Sequence, residues 1–181
     1  MDSVEDSLRP TWYAALAGVF SLLTAPAHEL LVGLEIGDDV TGYVFPAAVA
    51  TMTTLNRDAS PSDLTVGVIW ATDVTDFGLL GHLHKLARAS GVTAVVDAAA
   101  TPCPDGAREA ARDGSVSGGS CCDLDWVRPH TRWGADVIDL ERLLLAEAQT
   151  SGGLLDAGKI PGAKVIGELV PADGNHTLVA G

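Results

Sequence analysis

The segment ATDVTDFGLLGHL, residues 71–83, joins two different sequence patterns and decides how the chain folds. The apolar residues of Val66–Ala71 lie before it and predict a buried strand. After it, apolar residues recur at helical spacing over Leu79–Gly91, and the glycine predicts the end of a helix. Asp73 and Asp76 are therefore expected at a strand-to-helix junction.

Strands and helices alternate along the chain, which predicts an α+β (layered α/β) domain with a mixed sheet flanked by helices. Near the N-terminus, the spacing of apolar residues predicts a helix over Arg9–Thr24, and Leu30–Phe45 is expected to form a hairpin. Near the C-terminus, Lys164–Val170 and Thr177–Ala180 predict a second hairpin. The segments expected to be irregular are Gly114–Ser120 and Arg128–Gly134.

The pattern changes abruptly between Phe45 and Pro46, where a strand-like stretch gives way to an alanine-rich helical one. This is the internal seam that the sequence shows. It predicts a division of the 181 residues into a segment 1–45 and a segment 46–181.

The chain is acidic, with 24 Asp and Glu against 11 Lys and Arg, a net charge of −13. This charge repels phosphate backbones and anionic lipids, so neither nucleic acid nor a membrane surface is an expected partner. The apolar stretch Trp12–Ala25 follows an acidic leader and is too short to span a bilayer, which favours an internal helix over an anchor. The cysteines Cys103, Cys121 and Cys122 show no C-x-x-C spacing, which predicts neither a disulfide framework nor a zinc site and favours the cytoplasm.

Three polar islands stand within strongly apolar sequence: Gly37–Asp39, Thr72–Gly78 and Gln149–Gly153. Carboxylates at strand ends are suitable oxygen ligands for Mg²⁺, which binds one or two of them together with phosphates and water. The structural alternative is that Asp39 fills a turn and that Asp73 or Thr75 caps the following helix. The residue types alone leave both interpretations open.

The histidines His82 and His84 are two residues apart on the predicted helix. Side chains at this spacing point to different faces, so the pair is not expected to grip one metal ion. A capping or solvated role is predicted for them instead.

Residues 71–83, with MTTLNR at 52–57 and QTSGGLL at 149–155, resemble the C-terminal half of the selenide, water dikinase family, also called selenophosphate synthetases. The resemblance continues through Gly118–Gly119 and Val165–Val170 and covers the chain from Ala47 to its end. Upstream, Leu30–Tyr43 resembles the family's segment with a Gly-Asp-Asp turn. The family belongs to the aminoimidazole-ribonucleotide-synthetase-like superfamily.

The resemblance implies that residues 46–181 fold like the C-terminal domain of that superfamily and that residues 1–45 are a remnant of its N-terminal ATP-binding domain. The implied activity is phosphorylation of selenide by ATP with Mg²⁺, which gives selenophosphate for selenocysteine and selenouridine synthesis. By the same resemblance Asp39 and Asp73 are Mg²⁺ ligands, and Ile36, Gly37 and Asp38 contact the nucleotide. Clamping of phosphates by cations is the usual basis of phosphoryl transfer.

Several family features are absent or changed. The glycine-rich loop with a reactive Cys followed by a Lys has no counterpart before Asp38, so no catalytic residue is assigned. Asp76 replaces a glycine, Ala148 a proline and Asp123 an asparagine. Three alternatives remain: a shortened enzyme whose own turnover is in doubt, a binding or regulatory module for a complete homologue, or a structural remnant. Self-association or pairing with a full-length homologue is expected, because the lone domain exposes an apolar face.

Overall fold

A computed structural model of the protein describes residues 68, 70–114, 116–148, 153–158 and 163–172, and it gives the backbone course of 18–22 and 178–180. The described part forms a mixed sheet against which helices pack. The predicted α+β class is therefore confirmed.

The sheet contains the strands β1 Gly18–Leu22, β2 Ala71–Asp73, β3 Val92–Val96, β4 Thr131–Trp133, β5 Leu154–Ala157, β6 Lys164–Pro171 and β7 Leu178–Ala180. Their spatial order is β2-β5-β1-β6-β3-β7-β4. Pairing is antiparallel from β2 across to β3, whereas β7 runs parallel to both β3 and β4.

The described helices are α1 Gly78–Ser90, α2 Ala107–Arg112, α3 Gly118–Val127 and α4 Asp139–Leu145, with a 3₁₀ turn at Arg128–His130. Helix α1 contacts β3, β7, α3 and α4, while α2 packs on α4. In the described part of the chain, no helix is long and apolar enough to cross a membrane.

The hydrophobic core lies between α1 and the sheet. Leu80 and Leu83 of α1, Leu155 of β5 and Ile166 of β6 are all fully buried. Burial of each of these side chains contributes roughly 1.5–3 kcal/mol. Helix α1 is thus anchored along its apolar face, and this fixes the C-terminal end of the turn that precedes it.

Glycines with positive φ bound helix α1 at both ends. Gly91 has φ +65°, and its N–H donates to the carbonyl of Arg88 at 3.3 Å, which confirms the predicted helix end. Gly78 has φ +60°, and a Cβ built there would lie 2.6 Å from the carbonyl carbon and oxygen of Ala146. The start of α1 therefore requires glycine both for its backbone conformation and for the close approach of the chain after α4.

The helix predicted for Arg9–Thr24 is wrong at Gly18–Leu22, which form strand β1. Strand β1 pairs with β5 on one side and with β6 on the other. Hydrogen bonding along both edges outweighs the helical spacing of the apolar residues, because tertiary pairing overrides local preference in so short a segment. The predicted Leu30–Phe45 hairpin lies outside the described residues.

The predicted C-terminal hairpin is also wrong. Its strands exist as β6 and β7, but β3 lies between them. Because β1 and β3 occupy the two edges of β6, β7 pairs instead with β3 and β4.

Two segments expected to be irregular contain regular structure. Strand β4 occupies Thr131–Trp133 and owes its hydrogen bonds to β7, which is distant in sequence. Helix α3 begins at Gly118, directly after Ser117, whose Oγ accepts the N–H of Ser120 at 3.2 Å. A serine in this position is a helix start signal, and the glycines around it concealed the signal.

Candidate functional site

The candidate site is the turn between β2 and α1. The N–H of Val74 donates to the carbonyl of Gly153 at 3.0 Å, and the N–H of Gly78 donates to the carbonyl of Thr75 at 2.9 Å. The Val74 side chain is fully buried, whereas Asp73 before it and Asp76 after it are exposed. The turn therefore presents two carboxylates from a backbone that is fixed at both ends.

His82 reaches back to this turn from the second turn of α1. Its Nε2 accepts the backbone N–H of Thr75 at 3.1 Å and lies 3.1 Å from the Thr75 Oγ1. Burial lowers the pKa of His82, as does the nearby Lys85, while Asp73 and Asp76 oppose the shift. A neutral ring that carries its proton on Nδ1 satisfies this hydrogen bond.

As predicted, the two histidines point in different directions: His82 contacts the turn, and His84 contacts Trp126 and His130. The predicted capping or solvated role fits His82, which bonds the chain just before α1, but not His84, which is only 3% exposed. His84 stacks on His130 with ring centroids 4.3 Å apart and meets Trp126 edge-on. Phe77, not Asp73 or Thr75, occupies the N-cap position of α1, and it makes no side-chain capping bond.

Helix α3 supplies a third carboxylate beside the turn. Burial raises the pKa of Asp123, the negative charge of Asp76 raises it further, and Lys85 opposes the shift. Lys85 itself lies over the ring of Phe77, with Nζ 3.3 Å from the ring centroid. Two residues that depart from the family pattern, Asp76 and Asp123, are thus close enough to influence each other electrostatically.

An exposed aromatic pair borders these charges. Phe77 is 42% exposed and Trp126 is 43% exposed, and their ring centroids lie 6.4 Å apart. Large apolar side chains this exposed beside a charged turn are typical of surfaces that contact another molecule.

Among the described residues, the carboxylates of Asp73, Asp76 and Asp123 form no hydrogen bond or ion pair. Nor does this part of the chain contain three or more His, Cys, Asp or Glu grouped so that they could hold a metal ion. One free carboxylate at a strand end still suits Mg²⁺, because that ion keeps most of its sites for water and phosphate oxygens. The donor chemistry of Asp73 therefore fits an incomplete Mg²⁺ site.

Of the residues assigned by resemblance, the structure places Asp73 at the end of β2. Ile36, Gly37, Asp38 and Asp39 lie outside the described residues. The roles assigned to all five stay predictions. The sequence analysis missed the bond from His82 to Thr75, and its seven-residue spacing across a turn gave no local signal.

A second polar cluster, between α2 and α4, has a different character. Arg108 donates from Nε and Nη2 to the two carboxylate oxygens of Glu141 at 2.8 and 3.1 Å. Beside this pair, burial raises the pKa of the Cys103 thiol to about 11, so the thiol stays protonated at neutral pH. The adjoining pocket, of about 10 Å³, has room for one water molecule. In this cluster, the charged side chains satisfy each other and the thiol is not a thiolate.

Comparison with known proteins gives the class of the chain. A family described as AIR synthase related protein, C-terminal domain, matches residues 33–122, which include β2, α1 and the turn between them. The chain therefore contains a domain of the AIR synthase-related C-terminal type.

The relatives within that class are selenide, water dikinases. The chain is 38% identical to the one from Porphyromonas gingivalis over 150 residues, which is 78% of this chain and 40% of the relative. It is 36% identical to that of Caldanaerobacter subterraneus over 145 residues, which is 78% of this chain and 41% of the relative. With that of Burkholderia pseudomallei, the identity is 40% over 119 residues, 66% of this chain and 33% of the relative.

The chain is thus homologous to selenide, water dikinase. It spans about 40% of the length of the relatives from P. gingivalis and C. subterraneus. The family resemblance drawn from the sequence is confirmed.

Proposed function

We propose that this chain takes part in the ATP-dependent, Mg²⁺-assisted phosphorylation of selenide to selenophosphate in the cytoplasm, for selenocysteine and selenouridine synthesis. The observation that carries the proposal is the Asp73 carboxylate, exposed at the end of β2 and free of partners among the described residues. Its place in a segment shared with selenide, water dikinases supports the same role.

In this proposal Asp73 and Asp39 bind Mg²⁺ through carboxylate oxygens, and Ile36, Gly37 and Asp38 contact the nucleotide. The bound cation would neutralise negative charge on the ATP phosphates. The backbone next to Asp73 is fixed by the hydrogen bond from Val74 to Gly153, which would orient the Asp73 carboxylate toward the cation. Lys85 adds a positive charge on the same side of α1, next to the Phe77 ring.

The chain's own residues supply binding and orientation, and no catalytic nucleophile is assigned to them. The reactive Cys and the Lys of the family loop have no counterpart before Asp38.

A second candidate is a non-catalytic C-terminal module that pairs with a complete homologue or with itself. One observation favours it: Phe77 and Trp126 are exposed side by side. Burial of both rings against another chain would remove their apolar surface from water, which favours association.

The test is a calorimetric titration of ATP with Mg²⁺ into the wild-type protein and the Asp39→Asn and Asp73→Asn variants. Asp136→Asn serves as the matched control. Asp136 is exposed, and the substitution removes the same charge at a distant turn. We expect Asp39→Asn and Asp73→Asn to weaken binding about tenfold or more, by about 1.4 kcal/mol at least, and Asp136→Asn to leave it unchanged. Equal affinities in all four proteins would overturn the metal-ligand assignment.

The two candidates separate when a full-length selenide, water dikinase is added. A partner module should co-elute with it in size-exclusion chromatography and change its selenide-dependent formation of AMP and phosphate. A catalytic chain should form these products by itself, with dependence on selenide and Mg²⁺. Separate elution would exclude the partner module, and selenide-independent hydrolysis would count against the enzyme.

A further inference from the structure

The direction of the Asp73 carboxylate depends on the backbone around it. Among the described residues its carboxylate contacts no partner that would hold it. On the chain after it, Val74 is fixed by its bond to Gly153, and Thr75 is fixed by its bond to His82. The first of these bonds comes from the sheet, and the second comes from a side chain.

We infer that His82 is a positioning residue, which holds the turn of residues 74–77 so that Asp73 points its carboxylate toward a bound divalent cation. The inference rests on the proposed function for the role of Asp73. The geometry that carries it is the double contact of Nε2 with the N–H and the Oγ1 of Thr75, both at 3.1 Å.

His82 is well placed for this task because its own position is fixed. It lies between Leu79 and Leu83 on α1, whose apolar face is embedded in the core. Its ring meets the Phe77 ring edge-on, with centroids 5.9 Å apart and an interplanar angle of 62°. A side chain that its helix anchors in this way can hold the turn through Thr75.

The same contact argues against His82 as a metal ligand. Nε2 accepts the Thr75 N–H, so that lone pair is not available to a cation. In the described chain, moreover, no set of three potential ligands gathers at this turn. The histidine therefore acts through the backbone of Thr75 and does not touch the ion.

Three variants isolate the contact. His82→Leu removes the acceptor and keeps an apolar side chain of similar bulk. His82→Gln keeps an acceptor, because its Oε1 can occupy the position of Nε2. Thr75→Val removes Oγ1 and keeps the N–H, so it tests the contact between Nε2 and Oγ1 separately.

The first readout needs no ligand: NMR hydrogen exchange of the Thr75 amide. We expect the amide to exchange at least about tenfold faster in His82→Leu, because it loses a structural hydrogen bond. His82→Gln should stay near the wild-type rate, as should Thr75→Val. Urea unfolding of each variant separates a local loosening from a global loss of stability. Unchanged Thr75 exchange in a folded His82→Leu protein would overturn the inference.

The second readout is the affinity for Mg²⁺ with ATP. Loss of a residue that orients a ligand typically costs 10- to 100-fold in metal affinity, and we expect about that loss in His82→Leu, with recovery in His82→Gln. Faster Thr75 exchange with unchanged affinity would also overturn the positioning role. If the wild-type protein binds no Mg²⁺ with ATP, the proposed function fails. NMR order parameters of Asp73 and Val74 then decide the inference, because they fall in His82→Leu only if His82 holds this turn.

Discussion

The turn between β2 and α1 and the contact between α2 and α4 both carry charged residues, but they treat them in opposite ways. At the helix contact, Arg108 and Glu141 satisfy each other through two hydrogen bonds. At the turn, Asp73 and Asp76, with Asp123 beside them, have no hydrogen-bond or ion-pair partner among the described residues. Charges that serve the fold find partners within it, whereas charges left free are available to a ligand.

The two regions also differ in what keeps them in place. The helix contact is held by the side chains of the ion pair and by a small buried cluster of Ala107, Ala111 and Leu144. The turn is held by backbone bonds and by His82, and its carboxylates contribute nothing to that support. Substitutions should therefore damage the two regions by different routes.

The largest effect is expected at Gly78. Gly78→Ala would combine a positive φ with contacts of 2.6 Å to the Ala146 carbonyl, and we expect a loss of about 3 kcal/mol or more in unfolding free energy. Gly114→Ala is the control, because Gly114 also has positive φ, at +88°, but has open space around it. It should cost only about 1 kcal/mol. Urea denaturation measures both, and equal costs would show that the close approach at Gly78 is unimportant.

A smaller effect is expected from the helix contact. Arg108→Met keeps the apolar stem and removes the bidentate pair, which is partly exposed, so we expect a loss of about 1 kcal/mol. Arg112→Met is the matched control, since its pair with Glu109 is longer, at 3.6 Å, and more exposed, and its loss should cost about 0.3 kcal/mol or less. A double-mutant cycle with Glu141→Gln tests the interpretation. A coupling energy near zero would mean that the pair does not stabilise the contact.

The smallest effect, of opposite sign, is expected at the turn. The folded-state pKa of Asp123 lies above its usual value, so ionised Asp123 opposes folding above that pKa, and the penalty vanishes as pH falls below the unfolded value. Asp76→Asn removes one cause of the shift and should stabilise the protein by about 0.3 kcal/mol at pH 7. The gain should disappear near pH 3. Urea midpoints at the two pH values measure it, and a loss of stability at pH 7 would mean that Asp76 supports the turn.

Much of the fold was predictable where the signal was local. The spacing of Leu79, Leu80 and Leu83 predicts helix α1. The helix ends at Gly91, which adopts the left-handed backbone conformation typical of a helix C-terminus. The strand character of β6 was also evident from its apolar, β-branched sequence.

The errors in the strands share one cause. Strand β1 was expected to be helical, β7 was expected to pair with β6, and β4 was expected to be irregular. In each case the hydrogen-bonding partner is distant in sequence, and periodicity within a short window carries no information about that partner. The bond from His82 to Thr75 was missed for the same reason.

The sequence by itself determined the family and the strand-to-helix junction at residues 71–83, in which Asp73 and Asp76 lie. These depend on spacing and residue type within a few turns of chain, where local chemistry decides the outcome. Only the tertiary structure decided that β1 lies between β5 and β6, that Asp123 is close enough to Asp76 for their charges to interact, and that His82 bonds to Thr75. Such contacts depend on which distant segments pack together, because hydrogen bonds and charges act between atoms that are close in space, whatever their distance along the chain.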